Sequence, residues 1–313
     1  MATEWIEKRI AKAEREKASY LRLNDSGVSS IPESVGRLTH LTWLDLSHNR
    51  LTQLPDAIGA LVNLERLDVH RNDLAALSPV IGNLTALRVL DLHNNELTEV
   101  PEAVCRLLGL RNLDLSYNRL TTLPEAIGEL VRLESLVLRV NKLIALPASI
   151  GRLSSLTGTL YLDCNKLADL PDAIAQLRKV DSLQLSSNEF AVFPEPVTRL
   201  HGLEHLSFGG NQLTGLPETL GRLTKLRMGD LSVNRLGHLP EAIGNLKRLE
   251  LLNLRENQLH ALPAAMTKLK KLTWMDVRGN PLPLPVELFE QYKRPHDIIR
   301  HCLADGADER RDL

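Results

Sequence analysis

Apolar residues recur along this chain in a pattern with a period of about 23 residues. One copy runs from Leu110 to Leu130 and has the form LxxLxLxxNxLxxLPxxIGxL. The pattern has eleven regular copies, which begin at Leu41, Leu64, Leu87, Leu110, Leu133, Leu156, Val180, Leu203, Leu226, Leu249 and Leu272. A weaker copy begins at Ala18, with Ser26 in place of the asparagine. A fixed period of this length indicates a chain built from twelve stacked repeats.

The spacing of apolar residues changes within each repeat. The first half ends in an alternation that places Leu113 and Leu115 on one side of a short strand. The second half, LPxxIGxL, spaces apolar residues by three and four, which suits a helical turn. Pro124 can begin such a turn because it has no N–H to satisfy. We therefore expect each repeat to form a strand and a short helical segment, with the leucines of neighbouring repeats sharing one core.

The asparagine of each repeat is predicted to be structural. Its side chain can hydrogen-bond to backbone groups in the turn after the strand, and asparagines of stacked repeats can form a ladder. We therefore leave these asparagines out of the candidate functional site. Three repeats are irregular. An extra residue near Gly158 predicts a β-bulge, Gly229 in place of a core leucine predicts a slipped strand or a local gap, and the proline at Pro79 is shifted by one residue. Drift that a solenoid tolerates is the simpler interpretation of all three.

These repeats resemble those of leucine-rich-repeat proteins, and the LPxxIGxL form is most similar to the intracellular Ras-group type and to bacterial Roco-type repeats. The resemblance covers residues 18–282. It implies an α/β fold, a right-handed solenoid or horseshoe with about twelve parallel strands on the concave face and short helical or 3₁₀ segments on the convex face. Roco-type proteins also carry a GTPase domain, and the GxxxxGK[ST] phosphate-binding motif is missing from this sequence.

The segments that flank the repeats are predicted to cap them. Residues 1–17 form an amphipathic pattern with Trp5, Ile6, Ile10 and Ala13 on one face, which predicts a capping helix. A helix lying on a membrane surface is disfavoured because its basic residues are offset by glutamates. Residues 283–303 are predicted to form a C-terminal cap, and residues 304–313 a loose tail.

Composition and charge limit the classes of partner that the protein can bind and its location in the cell. Charged residues make up 25% of the chain and the formal net charge is −1, which disfavours nucleic acid as a partner. The sequence has no apolar run of membrane-spanning length, no apolar signal segment after Met1 and no disulfide-like cysteine pair. We therefore expect no membrane partner and a cytoplasmic location, or the host cytosol for a secreted effector.

Motifs typical of enzymes do not occur in the sequence. GxSxG, HExxH and paired CxxC motifs are missing. Cys105 and Cys164 lack an activating neighbour in the sequence, so inert thiols are the simpler interpretation. We therefore predict no catalytic residues, no cofactor and no enzymatic activity.

The outward-facing residues of the strands are the best candidates for a functional site. Aromatic, arginine and histidine residues occupy these positions in the first six repeats counted from Leu41, whereas Ser, Gln and Gly dominate the next two. Tyr, Trp and Arg often dominate binding energies. We predict a partner-binding surface on the concave face, centred near residues 70–139, rather than solvated residues without a partner. It consists of Trp43, His48, Arg66, His70, Arg71, His93, Tyr117, Arg139 and Tyr161.

Asp68, His70, Asp91 and His93 are predicted to form a patch on two adjacent strands. These residue types can bind zinc or nickel. The simpler interpretation is two Asp–His pairs in which each carboxylate raises the basicity of its imidazole. We therefore predict no metal site here.

Taken with the resemblance, these features predict a non-enzymatic scaffold that binds a protein partner, in a signalling role. The resemblance makes a small GTPase or a phosphatase a candidate partner. The alternative is a substrate-targeting or recognition subunit of an effector or sensor complex whose catalytic part lies on another chain. The sequence does not choose between these partners.

Overall fold

The structure, a computed structural model, describes residues 2–308. The chain divides into two compact units, Met1–Tyr161 and Leu162–Leu313, called the first and second unit below. Among the described residues, no helix is both long and apolar enough to cross a membrane.

The first unit begins with helix α1 (Ala2–Glu16) and continues with seven parallel strands in chain order. The strands are β1 (Tyr20–Arg22), β2 (Trp43–Asp45), β3 (Arg66–Asp68), β4 (Val89–Asp91), β5 (Asn112–Asp114), β6 (Ser135–Val137) and β7 (Gly158–Tyr161). The segments between them are a short helix α2 (Glu102–Cys105) and 3₁₀ turns at Glu33–Arg37, Asp56–Ala60, Pro79–Asn83, Glu125–Glu129 and Ala148–Arg152.

The second unit contains five strands, which are also parallel and in chain order. They are β8 (Val180–Gln184), β9 (His205–Ser207), β10 (Met228–Asp230), β11 (Leu251–Asn253) and β12 (Trp274–Asp276). The other elements are helices α3 (Val286–Phe289) and α4 (Pro295–Asp308) and 3₁₀ turns at Asp172–Gln176, Glu195–Arg199, Glu218–Arg222, Glu241–Asn245 and Ala264–Lys268. Parallel strands that alternate with short helical turns confirm the predicted fold class.

Each repeat buries the residues that the apolar pattern assigned to the core. Leu113 and Leu115 of one repeat are at most 1% exposed, and so is Ile127 in the following 3₁₀ turn. Pro124 precedes that turn with an extended backbone (φ −68°, ψ 148°). The Leu130 N–H donates to the Ile127 carbonyl at 3.2 Å and closes the turn. The strand and the turn therefore present their apolar side chains to the same core.

The repeated asparagines form the predicted ladder. The Asn118 amide donates to the carbonyls of Leu92 (3.0 Å) and Leu115 (3.1 Å), and its oxygen accepts the Leu97 N–H (3.0 Å). The asparagine therefore joins two successive repeats. Tyr117, directly before it, has a left-handed backbone with φ of +53°. The same position in other repeats of the first unit is also left-handed, at Asp25, His48, Arg71, Asn94 and Val140.

Helix α1 covers the first strand with a narrower apolar stripe than predicted. Ile6, Ile10 and Ala13, spaced by four and three residues, are buried. Trp5 was expected on this face but is 43% exposed, and the Arg9 guanidinium lies 5.3 Å from the centre of its ring. One helical position rotates a side chain by roughly 100°, which takes Trp5 to the edge of the stripe.

The C-terminal segment covers the last strand. Ile298 and Ile299 of α4 are buried, and the Tyr292 carbonyl accepts the Met275 N–H of β12 at 2.8 Å. The prediction of a loose tail from residue 304 is wrong for residues 304–308, because α4 continues through Asp308. The sequence there contains no proline that would end the helix. Residues 309–313, the rest of the predicted tail, lie outside the described residues.

The irregular repeats at Gly158 and Gly229 are accommodated differently. Gly158 begins β7 with a left-handed φ of +65°. The strand pairing there joins Val137 to Tyr161, so the extra residue is absorbed before the pairing resumes, as in a β-bulge. Gly229 pairs in register with Leu206, which excludes a slipped strand. A cavity of about 10 Å³ beside Gly229 is the local gap that the sequence predicted.

Candidate functional site

The nine predicted surface residues take three kinds of position on the strand face of the first unit. We use this name for the outward side chains of the strands and of the three residues after each strand. Three residues belong to strands: Trp43, Arg66 and Tyr161. Three lie two residues after a strand: His70, His93 and Arg139. Three take the left-handed position before a ladder asparagine: His48, Arg71 and Tyr117.

Trp43 is the centre of an aromatic and cationic group. The Tyr20 ring lies 6.4 Å from the Trp43 ring, between centroids. The guanidinium carbons of Arg22 and Arg66 lie over the indole at 4.8 and 5.5 Å, within the range of cation–π contacts. Tyr20 and Arg22 are outward residues of the weak first repeat. Sequence reasoning left them out of the site, although their alternation with buried Leu21 could have revealed them.

Three histidines form a second group beside the first. The His70 and His93 rings stack with centroids 4.3 Å apart and planes 10° apart. His48 meets His70 edge to face at 4.9 Å. Arg66 joins the two groups, because its guanidinium lies 3.4 Å from Asp68 Oδ2 while Asp68 Oδ1 hydrogen-bonds to His70 Nδ1. The surface is therefore continuous from Trp43 to His93.

Tyr117 and Arg139 form a third group further along the same face. Arg139 Nη2 donates to the Tyr117 hydroxyl at 3.1 Å, and the guanidinium carbon lies 5.4 Å from the ring centre. Tyr117 remains 45% exposed. An aromatic ring and a cation that already hold each other in place lose little conformational freedom when a partner binds.

The structure does not join the other two predicted residues to these groups. Arg71 is exposed, and Tyr161 is half-buried at the end of β7. Within residues 2–308, neither side chain makes a hydrogen bond, ion pair or ring contact with the other seven predicted residues. They therefore lie on the predicted face without belonging to its contact network.

The strand face of the second unit has a depression that sequence reasoning missed. Its volume is about 620 Å³, and Met228, Leu251 and Trp274 supply much of its apolar lining. Gly229 and Asp230 also line it. The sequence contained a signal for this depression, because Met228, Leu251 and Trp274 occupy the same outward position in three successive strands. The polar seventh and eighth repeats, which precede these residues, separate them from the predicted surface in the sequence.

The buried thiol of the first unit lacks the character of a nucleophile. Cys105 is 1% exposed. Burial, followed by the negative charges of Glu129 and Glu102, raises the pKa of the Cys105 thiol to about 11. A thiol with this pKa is almost entirely protonated at neutral pH, and the thiolate is the reactive form.

Comparison with known families and structures identifies the repeats. Family models described as "Leucine-rich repeat region" match residues 17–102 and 76–163. Models described as "Leucine rich repeat" match residues 230–282 and 202–223. No curated protein sequence matches the chain.

Solved structures with similar folds include bacterial and plant proteins. A leucine-rich-repeat protein of Leptospira interrogans is 32% identical, with 90% of this chain and 82% of that protein covered (TM-score 0.62). The effector YopM of Yersinia pestis is 27% identical over 88% and 82% (TM-score 0.64). The plant peptide hormone receptor RGFR1, solved in complex with RGF2, is 29% identical over 84% and 48% (TM-score 0.67). This chain spans about half of that receptor chain.

The geometry and the comparisons lead to the same family. Both units contain parallel strands joined by short turns, and asparagine ladders connect their repeats. The identity to the Leptospira protein extends over most of both chains. The chain belongs to the leucine-rich-repeat family.

Proposed function

We propose that this protein is a non-enzymatic binding module that holds a partner protein on the strand face of its first unit. The observation that carries the proposal is the continuous surface from Trp43 to His93, followed by the Tyr117–Arg139 pair. Trp, Tyr and Arg are the side chains that most often dominate the energy of protein interfaces.

The surface is also largely preorganised for binding. The Trp43 ring lies between two guanidinium groups, and carboxylates hold His70 and His93. Side chains that are ordered before binding contribute more net affinity, because less rotamer freedom is lost in the complex. This supports a specific protein partner over a set of unconnected solvated residues.

The relatives support a protein or peptide as the kind of partner. The plant receptor is a peptide hormone receptor in complex with RGF2, and leucine-rich-repeat proteins in general are interaction modules. From the resemblance of the LPxxIGxL repeats to the intracellular Ras-group type, we propose a cytoplasmic signalling scaffold. A small GTPase or a phosphatase is then the partner to test first.

The similarity to YopM favours a second candidate function. YopM is a leucine-rich effector protein. Under this alternative, the chain is the recognition subunit of an effector or sensor complex, and the catalytic part belongs to another chain. Its location would be a host cytosol, and the protein would co-purify with an enzyme in a fixed ratio.

The experiment compares two pairs of substitutions in the full chain. The test variant combines Tyr117→Ala with Arg139→Glu, and the control variant combines Met228→Ala with Trp274→Ala on the strand face of the second unit. Each is used as bait in the native lysate, and the affinity of each recovered partner is then measured with purified proteins. Circular dichroism and melting temperature check that both variants fold.

The proposal predicts a selective loss of binding. We expect the test variant to bind at least ~30-fold more weakly, which is the effect of losing about 2 kcal/mol at an interface hot spot. The control variant should keep the wild-type affinity. Equal affinity of the test variant and the wild type would reject this surface, and weaker binding by the control variant alone would place the interface in the depression of the second unit.

A further inference from the structure

Two Asp-x-His segments lie side by side on the strand face of the first unit. Asp68 of β3 and Asp91 of β4 are paired in register. His70 and His93 each follow two residues later, and their rings stack 4.3 Å apart. The parallel pairing of the strands therefore repeats one carboxylate–imidazole pair beside another.

Each carboxylate holds its histidine through the same ring nitrogen. Asp68 Oδ1 hydrogen-bonds to His70 Nδ1, and Asp91 Oδ1 hydrogen-bonds to His93 Nδ1 at 2.7 Å. A carboxylate accepts hydrogen bonds, so Nδ1 carries the proton in each neutral ring and Nε2 keeps its lone pair. Histidines that bind metals show this arrangement, in which a carboxylate on one nitrogen orients the other toward the ion.

The spacing of the rings suits one ion. Two imidazole nitrogens that each lie about 2.0–2.1 Å from a zinc ion are at most about 4.2 Å apart. The ring centroids are 4.3 Å apart, and one ligand atom from each of His70, Asp91 and His93 lies within 4.8 Å of the others. The Nε2 lone pairs lie in the ring planes, which are only 10° apart, so both rings must rotate toward each other before the two Nε2 atoms can bind a single ion.

The charges around the pair favour a cation. Asp68 and Asp91 provide two negative charges, and Asp91 Oδ2 also lies 4.0 Å from His70 Nδ1. Arg66, at 3.4 Å from Asp68, offsets part of this charge. Borderline metals such as zinc and nickel accept imidazole ligands, whereas magnesium and calcium prefer oxygen ligands.

We propose that His70 and His93 bind a divalent transition-metal ion of the zinc and nickel class through Nε2, with Asp68 and Asp91 holding the rings through Nδ1. The hydrogen bonds between the carboxylates and the two Nδ1 atoms orient the rings, which the sequence alone could not establish. With two histidine ligands, the ion keeps positions for water, so the site resembles an open site rather than a closed structural one. The proposal does not rest on partner binding.

The test is calorimetric titration of the full chain, freed of metal, with zinc chloride and separately with nickel chloride. We expect one saturable binding event with a stoichiometry near one. His70→Ala and His93→Ala should each abolish it, and His93→Gln serves as a second variant if alanine disturbs the fold. His260→Ala, which removes an exposed histidine of the second unit, should leave binding unchanged.

The carboxylates are tested as positioning residues. Asp91→Asn should weaken the metal affinity by 10- to 100-fold, the effect expected for losing a carboxylate behind a histidine ligand. Cobalt(II) added to the wild type should give a visible absorption spectrum that the Asp91→Asn variant shifts. The proposal is overturned if the wild type gives no saturable heat with either metal, or if the His70→Ala and His93→Ala variants bind as tightly as the wild type.

Discussion

Gly229 offers the sharpest test of how the leucine core is packed. It lies in the middle of β10, in register with Leu206 and Leu252 of the neighbouring strands. A methyl group at this position would lie 3.4 Å from Leu252 Cδ1 and 4.0 Å from Leu226 Cδ2, which are ordinary contact distances. We therefore predict that Gly229→Ala stabilises the protein.

The expected gain in the free energy of unfolding of Gly229→Ala has two contributions. Burial of one methyl group is worth about 0.8 kcal/mol. Replacing glycine with alanine in a strand also lowers the entropy of the unfolded chain, worth about 0.5–1 kcal/mol. We expect the free energy of unfolding to rise by about 1–2 kcal/mol for Gly229→Ala. Gly229→Leu should give no such gain, because a cavity of about 10 Å³ cannot hold the added carbons and overpacking costs about 1–3 kcal/mol.

The assay is equilibrium unfolding in urea, followed by far-ultraviolet circular dichroism. Gly237→Ala is the matched control, because a methyl group there would have no neighbour within 4 Å. It should show the entropic gain alone. A Gly229→Ala variant that is no more stable than the wild type, or a Gly229→Leu variant that is more stable than Gly229→Ala, would contradict this account of the packing around β10.

Three further predictions concern the ladder, the left-handed positions and the buried thiol. Asn118→Ala should lower the free energy of unfolding by about 1–3 kcal/mol in urea titration, because the buried Leu97 N–H loses its acceptor. Val233→Asn should raise the melting temperature, because Val233 has a φ of +53° that asparagine tolerates better, whereas Val192→Asn, at an exposed residue outside that region, should not. Cys105, which is buried and has a raised pKa, should react with a thiol reagent at pH 7.5 only after unfolding, whereas the exposed Cys164 should react in the folded protein. Peptide mapping by mass spectrometry separates the two thiols, and rapid labelling of Cys105 itself in the folded protein would contradict this.

The repeat pattern was sufficient to predict which residues of each repeat are buried. Residues such as Leu113 and Leu115 could be assigned to the core because a period of two on a strand has only one apolar face. The role of Asn118 followed from its position at the end of the strand, where backbone groups need a partner. These predictions depend on spacing, which the sequence displays directly.

For the outward side chains of the strands, the sequence predicted the residue types but not the contacts between them. The sequence identified Trp43 and His70 as surface candidates, yet the groups that they form depend on side-chain rotamers. Tyr20 was missed because its repeat departs from the consensus. The depression of the second unit was missed although its lining residues Met228, Leu251 and Trp274 are outward residues of successive strands, because a list of outward residues does not show where the surface is concave.

The aspartates at the ends of the strands connect the buried part of each repeat to its outward side chains. Asp114 Oδ1 accepts the Ser116 N–H at 2.9 Å and the Ser116 hydroxyl at 2.6 Å. Asp91 Oδ1 accepts the N–H of His93 at 3.1 Å and also holds the His93 ring. One carboxylate oxygen therefore fixes both the backbone and the side chain of the residue two positions later, whether that residue is serine or histidine. Because this orientation does not depend on which of the two residues is present, the strand face can change its chemistry while the fold beneath it stays the same. The aspartates, which look like repetitive filler in the sequence, are therefore the part of the repeat that orients the outward side chains.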